Sequence, residues 1–385
     1  MEFSNEHNEL RRTMSRFVES EINPHVEKWE AQGQFPIKEV FKKMGDLGLL
    51  GISKPEGAGG LGLDYSYEMV AAEELGLVTS GGVAMAVGAQ TNMATPALAK
   101  FGSRELQEQF LTPAINGEFI GAIAVSEPHA GSDVAQLKTS AKKQGDDYII
   151  NGSKMWITNG ISCDFYCLLA NTSEGPAHKN KSLIVVPKNT PGIEVSQPIK
   201  KIGNQLSDTA QVYFDNVKVP QRYLIGEENK GFAMQMLQFQ EERLWCAANP
   251  LKSMERVITE TINYCKDRQA FGQPLIYNQA IHFKLAELQT EIEALRSLIY
   301  RATSQYIKGQ DVTKLASMAK LKVGRLSREL HDACLQYWGG MGYTQENIAA
   351  RGWLDGRLIS IAGGADEIML NIICKYMDTL PSPVK

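Results

Sequence analysis

Several stretches of this sequence carry residue types and spacings that chemistry could use. In residues 125–139 (VSEPHAGSDVAQLKT), Ser126, Gly131, Ser132 and Asp133 fall in a turn whose backbone N–H groups could face a ligand. Residues 150–160 (INGSKMWITNG) place Trp156 and Thr158 two apart, a spacing that points both side chains to one face of a strand. An aromatic slab beside a hydroxyl donor suits a flat heteroaromatic ring with a hydrogen-bonding edge. The plainer alternative is a core tryptophan with a surface threonine. Residues 361–368 (IAGGADEI) set a glycine pair at the start of a helix, where backbone approaches a ligand closely and the N-terminus favours anionic groups. Arg268 in RQAFG follows a helix and could serve a phosphate, although a solvated helix-end arginine reads the same. Residues 336–342 (QYWGGMG) close another helix on glycines.

The elements that must position these groups fall into three regimes. In residues 1–120, Leu10, Met14, Phe17 and Val18 recur at helical spacing, as do Val40, Met44 and Leu47. Residues 121–228 change to short β-branched and aromatic runs at 148–150, 165–169, 182–186 and 212–214. Turn signals at 145–147, Asn151-Gly152, Asn159-Gly160 and Pro191-Gly192 separate them, so an antiparallel β module is expected. From residue 229 to 385 helical spacing returns, with long stripes at 280–307 and 315–337 that suit a four-helix bundle. The expected architecture is α+β: an N-terminal helical domain (1–120), a middle antiparallel β domain (121–228) and a C-terminal four-helix bundle (229–385).

Composition narrows the function classes. Among 385 residues, 40 Lys plus Arg against 44 Asp plus Glu give a net charge of −4, without the basic excess of a nucleic-acid binder. No apolar run reaches the roughly 18 residues of a membrane span. The start is polar, with Glu2, Glu6 and Glu9, unlike a secretory signal or an acid-poor transit peptide. Six cysteines form no CxxC pair, so neither a metal knot nor a disulfide framework is indicated. A reducing, cytoplasmic setting is expected, and a processed mitochondrial-matrix protein would read the same way. Gly57, Gly59 and Gly62 match the dinucleotide pattern G-x-G-x-x-G. That pattern has meaning between a strand and a helix, and here helical sequence lies on both sides.

Four motifs, AVSEPHAGSD, KMWITNG, DRQAFG and QYWGGMGY, stand together in an order and spacing that resemble the acyl-CoA dehydrogenase family over essentially the whole chain. The resemblance implies a helical–β–helical fold, FAD at a subunit interface, a homotetramer, and electron-transfer flavoprotein as acceptor. It implies that residues 123–132, with Ile123, Val125, Ser126, Gly131 and Ser132, wrap the flavin. Trp156, Ile157 and Thr158 would flank its ring, Thr158 near N5. Arg268, Ala270, Phe271 and Gln279 would reach a neighbouring subunit's FAD, and Gln336, Gly339 and Gly340 would surround its adenosine diphosphate part. Ala365 and Glu367 would border the cofactor, with Ala365 replacing the usual threonine.

Family members oxidise an acyl-CoA thioester to the trans-2-enoyl thioester, a carboxylate removing the α-proton while the β-hydride passes to flavin N5. The base must approach Cα from the face opposite the flavin. In many members it is a glutamate opening the last helix, where this chain has Gly363 in the run Ala362-Gly363-Gly364-Ala365. In the isovaleryl-CoA and long-chain branches the base precedes an arginine on another helix. Residues 239–244 (FQEERL) resemble that arrangement, with Glu242 as base and Glu241 about 100° away around the helix. By itself Glu242 reads as a solvated helix carboxylate. The Gly363 N–H would hold the thioester carbonyl, and burial beside an acyl chain should raise the Glu242 pKa. Ser132, Gln240, Arg243 and Gly364 occupy positions that resemble substrate contacts.

Ala362-Gly363 leaves room beside the α- and β-carbons, as a C3 branch requires. Residues 81–97, rich in Gly, Ala and Met, would serve a deep tail channel or close helix packing. A branched or medium-to-long acyl-CoA is expected. The stretches EINPHVEKWE, LGLLGISKPE and GLDYSYEMVAAEE resemble bacterial citronellyl-CoA dehydrogenases. Two other readings are an inert flavin- or acyl-CoA-binding scaffold, motivated by the missing acid at 363, and an acyl-CoA oxidase, whose relatives usually carry an extra C-terminal domain.

Overall fold

The computed structural model describes residues 3–381. The N-terminal part folds into α1 (Asn5–Phe17), α2 (Val26–Gln32), α3 (Ile37–Asp46), α4 (Tyr65–Leu75), α5 (Gly81–Gly88), α6 (Pro96–Phe101), α7 (Arg104–Leu106) and α8 (Thr112–Ile115). Helix α1 shows how a start is encoded. Ser4 Oγ accepts the His7 N–H at 3.5 Å and His7 Nδ1 accepts the Ser4 N–H at 3.1 Å, a reciprocal cap with histidine in the usual acid's place. The helix then buries Met14 and Phe17 and packs on α4, each such side chain contributing about 1.5–3 kcal/mol. The glycine-rich run 57–62 is a loop between α3 and α4. A Cβ at Gly60 would lie 2.2 Å from the Lys54 carbonyl oxygen, so this glycine permits a tight loop.

The β region comprises β1 (Gly121–Ala124), β2 (Ser140–Gln144), β3 (Asp147–Ile157), β4 (Phe165–Asn171), β5 (Lys181–Pro187), β6 (Ile193–Val195), β7 (Ala210–Pro220) and β8 (Leu224–Ile225). They form one sheet in the order β6-β7-β3-β2-β4-β5-β8, with β1 beside β4. Five pairings are antiparallel, but β1 runs parallel to β4 and β2 meets β4 in parallel at Ser140↔Asn171. The sheet is therefore mixed rather than antiparallel throughout. Turn residues mark hairpins between consecutive strands, whereas β1 reaches β4 only after residues 125–164 have made the β2–β3 hairpin. Strand β4 is buried from Phe165 to Ala170, the continuous apolar run of a strand covered on both faces.

Four long helices follow: α9 (Gly231–Ala248), α10 (Pro250–Asp267), α11 (Gln279–Ile307) and α12 (Thr313–Trp338), then α13 (Ile348–Gly356) and α14 (Asp366–Tyr376). Helix α12 packs against α9, α10, α11, α13 and α14, and its buried Ala316, Ala319, Val323 and Cys334 are small enough for close approach. Between α10 and α11 stands a hairpin, β9 (Gln269–Ala270) and β10 (Gln273–Pro274). Its loop residues Phe271 and Gly272 have φ of 52° and 79°, the two left-handed positions of a type I′ turn.

Candidate active site

Helix α9 is buried nearly all round, because N-terminal helices, the sheet and the bundle all pack on it. Its carboxylate Glu242 is 8% exposed, which excludes a solvated helix acid. Burial raises its pKa to about 7, outweighing the lowering pull of Arg243 and Lys320. Glu241, a neighbour in sequence, points elsewhere, accepting a hydrogen bond from the Tyr306 hydroxyl.

The Gly363 turn faces Glu242. A Cβ at Gly363 would stand 3.3 Å from Glu242 Oε1 and 3.5 Å from Cys246 Sγ. The two positions that the sequence offers for a base thus open on one small space, filled from α9. Gly363 and Gly364 have φ of 63° and 94°, where a Cβ is disfavoured. Among the described residues neither N–H donates to another backbone carbonyl, which leaves donors free beside the carboxylate. Gln240 is less available than its position suggested, since its Oε1 already accepts the Val312 N–H at 3.0 Å. Arg243 is 7% exposed and its Nε is buried without a partner, an orphaned donor suited to an anionic ligand.

Two sequence motifs meet at the sheet. The Met155 N–H donates to the Ser126 carbonyl at 2.9 Å, joining the loop after β1 to the end of β3. Residues the sequence reading passed over hold this junction. Glu127 Oε1 accepts from Lys154 Nζ and the Thr139 N–H, each at 2.9 Å, and its Oε2 accepts the Lys138 N–H at 2.7 Å. Lys154 Nζ also donates to the Val125 carbonyl at 2.9 Å. Both lie inside the quoted motifs, but nothing in spacing pairs a glutamate with a lysine across a hairpin. Val125 is buried and Ile123 half-buried, while Gly131 and Ser132 are exposed. Their N–H groups and that of Asp133 have no backbone acceptor among the described residues.

Trp156 and Thr158 do not sit two apart on one regular strand as expected. Strand β3 ends at Ile157, the β3–β7 register shifts between Lys154 and Ile157, and Trp156 has φ 65°. A left-handed tryptophan at a bulge costs about 1–3 kcal/mol, and here it presents an indole that is 57% exposed. Ile157 is buried and Thr158 half-buried just beyond the strand. An exposed, strained aromatic plane beside free backbone donors fits a flat ring such as a flavin. Arg268, Phe271, Gln279, Gln336, Gly339, Gly340 and Glu367 are exposed, and Ala270 and Ala365 half-buried. A Cβ at Gly339 or Gly340 would meet nothing within 4 Å.

Past Glu242, a cavity of about 110 Å³ runs between α5, α9, α13 and the residues before Gly363, enough for several water-sized groups at roughly 10–15 Å³ each. Ala84, Met85, Trp245, Cys246, Ile359 and Ala362 line it together with Arg256 and Arg351. Other small residues of 81–97 serve packing: a Cβ at Gly88 would lie 2.3 Å from the Trp245 ring.

Models of the acyl-CoA dehydrogenase N-terminal, middle and C-terminal domains match residues 4–118, 122–217 and 229–377. The chain belongs to the acyl-CoA dehydrogenase family, whose members are FAD-dependent oxidoreductases acting on acyl-CoA. It is 36% identical to the mouse mitochondrial long-chain specific acyl-CoA dehydrogenase over 97% of this chain and 87% of that one. It is 34% identical to the isovaleryl-CoA dehydrogenase of Pongo abelii, covering 96% and 88%. The crystal structure of an acyl-CoA dehydrogenase from Geobacillus kaustophilus superposes with a TM-score of 0.92 at 35% identity, covering 98% and 99%. No helix among the described residues is long and apolar enough to cross a membrane.

Proposed function

We propose that the chain dehydrogenates an acyl-CoA thioester between its α- and β-carbons, with Glu242 as the base. The supporting observation is the space shared by Glu242 and Gly363, with Glu242 Oε1 3.3 Å from where a Gly363 side chain would begin. The Gly363 N–H, free of backbone acceptors, donates to the thioester carbonyl and stabilises charge as the α-proton leaves, such a donor being worth about 2.7–4 kcal/mol. Glu242 receives that proton. Its pKa of about 7 leaves it ionised enough at neutral pH to act while keeping it basic. Ser126, Gly131, Ser132, Trp156 and Thr158 would hold FAD, which when bound supplies the hydride acceptor. Arg243, with its orphaned donor, would engage the CoA side, and Gln240 would offer its amide N–H groups, its Oε1 already accepting from Val312.

The acyl tail follows the cavity past Cys246, Ala362 and Met85. Its largely apolar wall and the missing bulk at 362–363 support a branched or medium-to-long acyl group, citronellyl-CoA among them. A homotetramer would cover the exposed residues around Phe271, and electron-transfer flavoprotein would take the electrons, in the cytoplasm.

The test is anaerobic addition of straight C4, C8 and C16 acyl-CoAs, isovaleryl-CoA and citronellyl-CoA to wild type and Glu242→Gln. Bleaching of the yellow flavin by wild type alone is expected, and it ranks the acyl groups directly. Equal bleaching by both proteins removes Glu242 from the mechanism. No bleaching of wild type by any of the thioesters makes the protein a binding scaffold.

A further inference from the structure

Lys320 lies on α12 with no exposed surface. Its Nζ donates to the Gly364 carbonyl, and its Cε lies 3.8 Å from the point where a Gly363 Cβ would stand. Glu242 Oε1 lies 3.3 Å from that same point. Among the described residues no carboxylate closes an ion pair with Lys320; Asp366 pairs through its Oδ2 with Arg325 and Arg328. A buried ammonium with one carbonyl partner is costly, and an apolar residue of similar volume would serve packing at least as well.

We propose that Lys320 is a positioning residue for the reaction proposed above: it fixes the two-glycine turn through the Gly364 carbonyl and supplies a positive charge close to Glu242 at the Gly363 turn. With that carbonyl held, the left-handed Gly363–Gly364 turn keeps one orientation and its free N–H stays aimed beside Glu242. The charge also favours the ionised carboxylate. The groups that share this field are Arg243 and Cys246 on α9, Asp366 and Tyr376 on α14, and Lys320 itself. Arg243 and Lys320 both act to lower the Glu242 pKa against the burial that raises it.

The test uses FAD-loaded Lys320→Met and Lys320→Arg, with Lys320→Gln in reserve should the Met variant fold poorly. The first readout is the rate of anaerobic flavin reduction by acyl-CoA against pH. Without the ammonium the midpoint of the rising limb moves up by about one pH unit. Ionisation alone then costs about fivefold at pH 7, while the arginine variant keeps a near-wild-type midpoint. The second readout is the absorbance of a bound 2-enoyl-CoA, whose red shift reports hydrogen bonding to the thioester carbonyl and needs no base. A smaller red shift in Lys320→Met is expected. A wild-type midpoint and a wild-type red shift in that variant overturn the proposal, as does an equal loss at every pH in the Met and Arg variants. Failure of the Glu242 assignment itself shows separately, as flavin bleaching in Glu242→Gln.

Discussion

Around Glu242 the described neighbours are buried groups of α9, α12, α14 and the 363–364 turn. Around the β9–β10 hairpin and the end of α12, the same chain turns large apolar groups outward, Phe271 at 105% exposure and Tyr343 at 91%. The contrast separates two tasks. The basicity of a carboxylate is set by burial, which a single fold can supply complete. A grip on a long cofactor needs walls on several sides, and in the site proposed above the exposed residues at 268–279 and 336–343 would provide one of them. Large apolar side chains turned outward in this way suit a surface that a partner or a ligand would cover.

The sharpest way to break this contrast is to crowd the interior. Gly363→Glu would place a second carboxylate in the space Glu242 occupies, and two like charges there cannot both ionise. Flavin reduction by acyl-CoA should fall by about 10³-fold, within the range of general acid–base effects. The double variant Glu242→Gly/Gly363→Glu should recover at least part of the loss, and stopped-flow bleaching checks both. A single variant as fast as wild type would show that the two positions do not share one space.

Next in size is a stability effect. Between pH about 4.5 and about 7 the native state holds a Glu242 proton that the unfolded chain has released. Wild-type stability therefore falls as pH rises through that window. Glu242→Gln lacks this penalty and should gain up to about 3 kcal/mol over wild type at pH 8, with little gain at pH 4. Urea unfolding at the two pH values measures it, and a pH-independent difference would separate Glu242 from the effect.

A third outcome concerns rate. Wild-type reduction should rise about tenfold from pH 6 to a plateau above pH 8, following ionisation of a group near pH 7, and the residual rate of Glu242→Gln should lack that limb. An effect of similar size belongs to the outer region. Phe271→Ala should leave the circular dichroism spectrum unchanged and weaken FAD retention about tenfold, near 1.4 kcal/mol, read by flavin released on gel filtration at low protein concentration. Unchanged retention would remove the hairpin from cofactor binding.

Much of this was legible in the sequence wherever the signal was local. The stripes at 280–307 and 315–337 are α11 and α12, and the β-branched runs fall within β3, β4, β5 and β7. The parallel β1–β4 pairing was not legible, because register between distant strands leaves no local mark. The left-handed Trp156 was hidden as well, since a bulge depends on the partner strand β7. The burial of Glu242 could not be read from α9, whose polar residues look solvated until three other layers close on them. Lys320 was missed for the same reason: a lysine in a helix reads as surface, and only the turn above it gives its amine a partner.

The meeting of Gly363 and Glu242 also constrains descent. Two positions far apart in the chain serve one pocket of space, so a lineage that moves its carboxylate from one to the other passes through a form with both or with neither. The first carries repelling charges in a dry interior and the second has no base. On the assignment proposed for Glu242 either intermediate is penalised, so the two positions would have to change together.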